Sequence, residues 1–295
     1  MIQQNPVLGI IFKLTNLALF TMVSLLWAGC GLGTSQEMFI VCGVASILLS
    51  VGVWLTPGAH FTKTLWWSYA LRALTGLAGM WAWIEAIKTI APNLATAFSY
   101  ATPFFCLIAA RVFFREKLKP LLFVAFFLCV LGALLSLVPH INSPFVMKGI
   151  LLSIISACCW AGYNSLCKLQ ANQGEHFLVQ ALYTFGFSAV LIAPVAFIQW
   201  QPVPITAMLQ LTGVSALRIA NIVALFFAYR LASLSLLAPF EFARIIFMGI
   251  ASYLLWNTVP MPLDWLGAGL IFSANVMLLR LSAKETMDQK IQPLI

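Results

Sequence analysis

The chain has 295 residues, of which 62% are hydrophobic and only 8% charged, with a formal net charge of +8 and mean hydropathy of +0.98. Soluble domains carry roughly 25% charged residues, so this composition places the chain in a lipid bilayer with little length left for a soluble domain. Basic residues of membrane proteins gather in cytoplasmic loops, so the positive charge bears on orientation and gives no sign of nucleic-acid binding.

Ten apolar segments of about bilayer-spanning length follow in order: 10–31, 36–55, 66–88, 92–113, 120–138, 147–168, 177–198, 207–230, 234–256 and 263–282. Breakers and charges separate them, as at Thr56-Pro57-Gly58, Arg115–Pro120, Pro139–Pro144 and Asn257–Pro262. The first segment ends in Trp27-Ala28-Gly29-Cys30, similar to a lipoprotein cleavage site, but Trp27 stands where leucine is expected. Trp-Ala-Gly also recurs at Trp160-Ala161-Gly162, so the segment reads as a retained helix. The seven cysteines lie in apolar stretches without ligand spacing, and His60, His140 and His176 lie in connecting segments. No metal site and no cofactor is expected.

With the amino terminus inside, the inner segments hold Lys13, Lys63, Arg111, Arg115, Lys117, Lys119, Lys168, Arg230, Arg280, Lys284 and Lys290. The outer ones hold only Lys88 and Lys148. This bias predicts cytoplasmic placement of both termini. An offset of 142 aligns Ala86 with Ala228, Lys88 with Arg230, Ala125 with Gly267 and Gly132 with Ala274. The predicted fold is therefore an all-α integral membrane protein of ten transmembrane helices. Its halves are 1–140 and 145–283, with a cytoplasmic tail at 284–295. Because five is odd, the second half must be inverted relative to the first, an arrangement used by many secondary transporters.

The residues resemble a known family, the ten-helix drug/metabolite transporters of the EamA type. The first half carries Leu71-Arg72-Ala73, Ala86-Ile87-Lys88-Thr89-Ile90-Ala91-Pro92, Thr102-Pro103-Phe104-Phe105 and Phe113-Phe114-Arg115-Glu116-Lys117-Leu118. The second carries Ala238-Pro239-Phe240-Glu241-Phe242-Ala243-Arg244, then Tyr253-Leu254-Leu255-Trp256 and Val259-Pro260. Leu71-Arg72 with Ala238-Pro239-Phe240 is also similar to the subgroup that includes S-adenosylmethionine carriers. One departure is Thr258, where the family commonly has an acid matching Glu116 of the first half. The resemblance implies an inner-membrane carrier of small organic solutes such as amino acids, nucleoside-like metabolites or drugs.

Five charged residues lie well inside spans: Arg72, Glu85, Arg218, Glu241 and Arg244. Intramembrane charges are costly and usually face a bundle interior or a cavity. Arg72 is read either as a site residue or as a side chain snorkelling to the interface. Arg72, Gly76, Gly79 and Trp83 share one helix face, which suits close packing or a cavity wall. Glu85 is read as a coupling acid or as the i,i+3 partner of Lys88. Arg218 with Asn221 lies too deep to snorkel and needs a partner, for which Glu241 is a candidate. Glu241 and Arg244 either neutralise each other at i,i+3 or serve the solute. Their counterparts in helix four are the uncharged Ser99 and Thr102, which favours an asymmetric task.

Trp27, Trp160, Tyr163 and Asn164 suit an aromatic slot for a planar or cationic ligand, or ordinary core packing. Tyr100 and Pro103 in helix four, and Pro239 in helix nine, suit interrupted helices whose carbonyls face a midplane cavity. The small residues of helices five and ten fit packing against each other or across a homodimer interface. The expected function is secondary active transport of a small metabolite by alternating access, with helices one, three, four, six, eight and nine around the site. Protons or an antiported solute would drive it through Glu85 or Glu241. The alternatives are a polytopic membrane enzyme or a structural membrane protein without flux. No H-E-x-x-H, paired aspartates or histidine–acid cluster supports the enzyme.

Overall fold

The computed structural model describes residues 5–27, 32–57, 66–89, 98–99, 101–116, 120–137, 147–173, 176–198, 200–244, 246–247, 250 and 262–291. Its helices are α1 (Pro6–Trp27), α2 (Thr34–Leu55), α3 (Trp66–Thr89), α4 (Ala101–Val112) and α5 (Pro120–Leu137). They continue with α6 (Met147–Asn172), α7 (Phe177–Ile198), α8 (Ile205–Leu231), α9 (Leu234–Leu237) and α10 (Pro262–Ile291). A 3₁₀ segment, Ala238–Ala243, follows α9 directly.

Among the described residues, α1, α2, α6, α7 and α8 are long and apolar enough to cross a membrane. Their outward faces carry large apolar side chains such as Ile47, Trp54, Val190, Ile198 and Leu209. In water such a surface would be a liability; against lipid tails it is the expected finish. Hydroxyls inside the helices are satisfied locally: Thr21, Ser46, Ser153, Thr184 and Ser215 each donate to the carbonyl four residues earlier.

Four helix pairs carry most of the packing: α1 with α8, α3 with α6, α2 with α7 and α5 with α10. An inversion that carries each helix to the one five places on exchanges the first two pairs and maps each of the others onto itself. The α1–α8 register is set by Asn16 and Asn221. Each side-chain amide donates to the other residue's main-chain carbonyl, at 2.9 and 2.7 Å. One end of that pair closes tightly because Gly9 has no side chain: a Cβ there would sit 2.7 Å from Ala232 Cβ.

The α3–α6 contact follows the predicted glycine face. Gly76 lies against the Tyr163 ring and Gly79 against Cys159, Trp160 and the Ser156 carbonyl. Ser156 Oγ donates to the Gly79 carbonyl at 2.8 Å. The small residues of helices five and ten, open in sequence to two uses, pack on each other within one chain. A Cβ on Gly132 would lie 2.6 Å from the Gly267 carbonyl oxygen.

Helix nine departs from the expected continuous span over 234–256. Its first turn is α-helical and then tightens into the 3₁₀ segment, with Pro239 in the opening turn of that segment. Proline has no N–H to donate and crowds the preceding turn, so the interruption predicted at Pro239 is present. Residues 251–261, including Thr258, lie outside the described residues.

Candidate functional site

Antiparallel packing gives the bundle two faces. The amino-terminal face carries the start of α1, the α6–α7 and α8–α9 junctions and the segment between α4 and α5. The far face carries the starts of α2 and α8, where Gln36 Nε2 donates to the Gln201 carbonyl at 2.7 Å.

A cavity of about 400 Å³ occupies the middle of the bundle and extends toward the far face. Its described lining comes from α1, α2, α3, α6, α7 and α8, together with Leu32. Of the predicted site residues, Trp83, Trp160, Tyr163 and Arg218 line it. The expected helix set is therefore corrected: α2 and α7 contribute, through Glu37, Met38, Thr184 and Ser188 among others. Alternation of small and polar positions along those two helices is too weak a pattern to have marked them.

Glu37 was missed because it sits in the first turn of α2, where sequence suggests an interfacial residue. It is 6% exposed, accepts a hydrogen bond from the Leu32 N–H at 3.2 Å, and faces the same cavity as Arg218. A carboxylate and a guanidinium thus share one space with several aromatic rings. Phe20, Trp160 and Tyr163 stand edge to face along one wall, with centroids 6.1 and 5.4 Å apart.

Toward the amino-terminal face the cavity gives way to a buried polar layer. Lys13 of α1 forms an ion pair with Glu241 of the 3₁₀ segment. Asn164 of α6 donates to the same Glu241 oxygen at 3.3 Å, and the Lys13 ammonium lies 5.3 Å from the centre of the Tyr229 ring. Glu241 thus has partners, Lys13 and Asn164, that differ from the two expected in sequence, Arg244 and Arg218. Arg244 donates to Ser99 Oγ at 3.3 Å and covers the Phe20 ring at 5.6 Å. Arg218 donates to Asn221 Oδ1 at 3.5 Å from the cavity wall. Packing register decides these partners: Glu241 and Arg218 lie at different depths, whereas Lys13 lies level with Glu241.

Lys13 and Lys168 were assigned from sequence to the inner loops, and both are buried. Lys168 Nζ donates to the Tyr229 and Ala232 carbonyls at 2.6 and 2.5 Å, satisfying the end of α8 where helical partners run out. The signal that could have found both is their distance from the helix ends: Lys13 is seven residues past Pro6 and Lys168 four before Asn172.

Arg72 does not snorkel. It is fully buried, donates to Gln170 Oε1 at 3.0 Å, and lies 4.4 Å from the centre of the Tyr163 ring. Gln170 in turn donates to Ser68 and accepts from Gln180. Glu85 is half-buried on α3; its expected partner Lys88 has a side chain outside the described residues, as does Trp27. Tyr100 also lies outside them.

At the amino-terminal face Glu116, from the segment after α4, accepts the N–H groups of Leu234 and Ser235 at 3.0 and 2.9 Å. A carboxylate at the N-terminus of α9 complements that helix end electrostatically. The preceding residue, Arg115, has φ of 52°, and this turn aims Glu116 at α9.

The bundle, its central cavity and its buried charges can be set beside known proteins. A family model described as the EamA-like transporter family matches the chain twice, over residues 7–138 and 147–280. The chain belongs to the EamA-like transporter family. It is a multi-pass membrane protein that transports a small metabolite, and not an enzyme.

Among its relatives, this transporter is 26% identical over 270 residues to a riboflavin transporter of Brucella anthropi, covering 86% of this chain and 91% of that one. A riboflavin transporter of Vibrio cholerae is 25% identical over 234 residues, covering 78% and 76%. An S-adenosylmethionine uptake transporter of Rickettsia prowazekii is 27% identical over 227 residues, covering 75% and 74%. A solved crystal structure shares the fold with a TM-score of 0.76 at 15% identity, over 94% of this chain and 98% of that one.

Proposed function

We propose that the protein is a secondary active transporter that carries a small organic solute across a bacterial-type inner membrane by alternating access. The observation that carries this reading is the pairing of a 400 Å³ cavity, extending toward the far face, with a buried polar layer that closes the amino-terminal side. Rocking of the two inverted halves would open that layer while narrowing the cavity. The excess of Lys and Arg on one side supports cytoplasmic placement of both termini.

The solute meets Trp83, Trp160, Tyr163, Glu37 and Arg218. A planar ring system bearing polar groups suits that lining, and the riboflavin and S-adenosylmethionine carried by the named relatives are of this kind. Glu241 is the coupling acid. Its protonation would remove the negative charge that pairs with Lys13 and weaken the bond from Asn164, and so loosen the contact between α1, α6 and the 3₁₀ segment.

The test is uptake of riboflavin and S-adenosylmethionine into proteoliposomes, with and without an imposed pH gradient. Saturable uptake that Trp160→Ala lowers supports the reading. Coupling through Glu241 predicts loss of the gradient's effect in Glu241→Gln. Unchanged gradient-driven uptake in both Glu241→Gln and Glu85→Gln would remove the acids from coupling, and equal flux through empty liposomes would remove transport of these solutes.

A further inference from the structure

Arg72 has no exposed surface, yet among the described residues only its NH1 makes a well-aligned hydrogen bond, to Gln170, with the Tyr163 and Cys167 side chains close beside the guanidinium. Nε and NH2 have no hydrogen-bond partner among the described residues, and no carboxylate there forms an ion pair with Arg72. A buried charge with unsatisfied donors is expensive, and a cation–π contact offsets only part of that cost. The two unused nitrogens lie on one edge of the planar group. That edge presents two parallel N–H donors, the fork that takes up a carboxylate or a phosphate.

What covers Arg72 is the Tyr163 ring, and Tyr163 is itself part of the cavity lining. Gly76, one turn after Arg72 on α3, also lines the cavity and leaves room for that ring; a Cβ there would stand 3.1 Å from Tyr163 Cδ2. The ring is thus a partition, with the cavity on one side and an unfilled guanidinium fork on the other. Arg72 lies one helical turn closer to the amino-terminal face, in the direction a solute leaving the cavity would take.

We propose that Arg72 is a concealed second station for an anionic group of the solute, a carboxylate or a phosphate, reached from the cavity when Tyr163 swings aside. The solute class is therefore an organic molecule with a planar or apolar body and at least one anionic group. This inference rests on the transport reading above and adds the path's second contact to it.

The experiment is thermal unfolding of the purified full-length protein in lipid-free detergent. Acetate, sulfate or inorganic phosphate is titrated against chloride at constant ionic strength. At least one of the three is expected to raise Tm saturably, by about 3 °C at tenfold excess over its Kd. Arg72→Gln abolishes the rise, and Arg111→Gln, a change at an exposed arginine outside the cavity, leaves it in place. Tyr163→Ala, which removes the cover, lowers the half-saturating concentration about tenfold.

No rise over chloride, or an undiminished rise in Arg72→Gln, overturns the proposal. So does a rise seen only after phosphatidylglycerol is added, which would mark a lipid headgroup site. If Arg72→Gln does not fold, the Tyr163→Ala comparison decides, and an unchanged half-saturation overturns it. Solute uptake measured on the same preparations separates the two readings: uptake without an anion effect removes only the Arg72 station, and an anion effect without uptake of any solute removes the transport reading.

Discussion

Lys13 and Glu241 are 228 residues apart and meet in a buried ion pair that joins the first half of the chain to the second. Each is held by a further contact, Lys13 over the Tyr229 ring and Glu241 from Asn164. Removing one member of such a pair leaves the other charged and unpartnered in an apolar interior, at a cost of about 3–5 kcal/mol. Lys13→Gln and Glu241→Gln are each expected to lower thermal stability by that order. The double variant should lose clearly less than the sum, because neither charge is then stranded. Additive losses in a double-mutant cycle would show that the pair contributes no coupling.

Glu116 is the amino-terminal face's link between the halves, through its two bonds to the start of α9. Glu116→Gln keeps one acceptor and removes the charge that complements the helix end, which is worth about 0.3–1 kcal/mol. The expected result is a small loss of stability together with easier opening of that face. Thiol labelling of a cysteine placed near Ser233 would report it as a faster rate in Glu116→Gln; an equal rate would confine Glu116 to capping.

Gly132 and Gly43 offer a steric comparison. At Gly132 an added methyl meets the Gly267 carbonyl and Ile271, whereas at Gly43 nothing lies within 4 Å. Overpacking of this kind costs about 1–3 kcal/mol. Gly132→Ala should therefore lower Tm measurably while Gly43→Ala leaves it unchanged or raises it. Equal effects would mean that α5 and α10 shift apart freely.

Arg218 lines the cavity, and its one hydrogen bond among the described residues is a long one to Asn221, so it contributes little to holding the fold. Arg218→Gln is expected to raise the KM for a transported anionic or amphoteric solute about tenfold, equivalent to about 1.4 kcal/mol, with Tm nearly unaltered. A variant with normal KM and a lowered Tm would return Arg218 to a structural role.

Sequence alone determined the environment and the plan. A charge content of 8% spread among ten apolar segments has no stable solution in water, and an odd number of spans per half forces inversion. The glycine face of α3 and the break at Pro239 were legible too, because a helix's period and proline's missing N–H act within a few residues. Partners across the bundle were not. That Glu241 takes Lys13, that Arg72 turns inward under Tyr163, and that Glu37 faces the cavity depend on the depth and rotation at which distant helices meet. Close packing at Gly9, Gly76 and Gly79 sets those depths and rotations, and a local pattern carries no information about which distant surface will fill them.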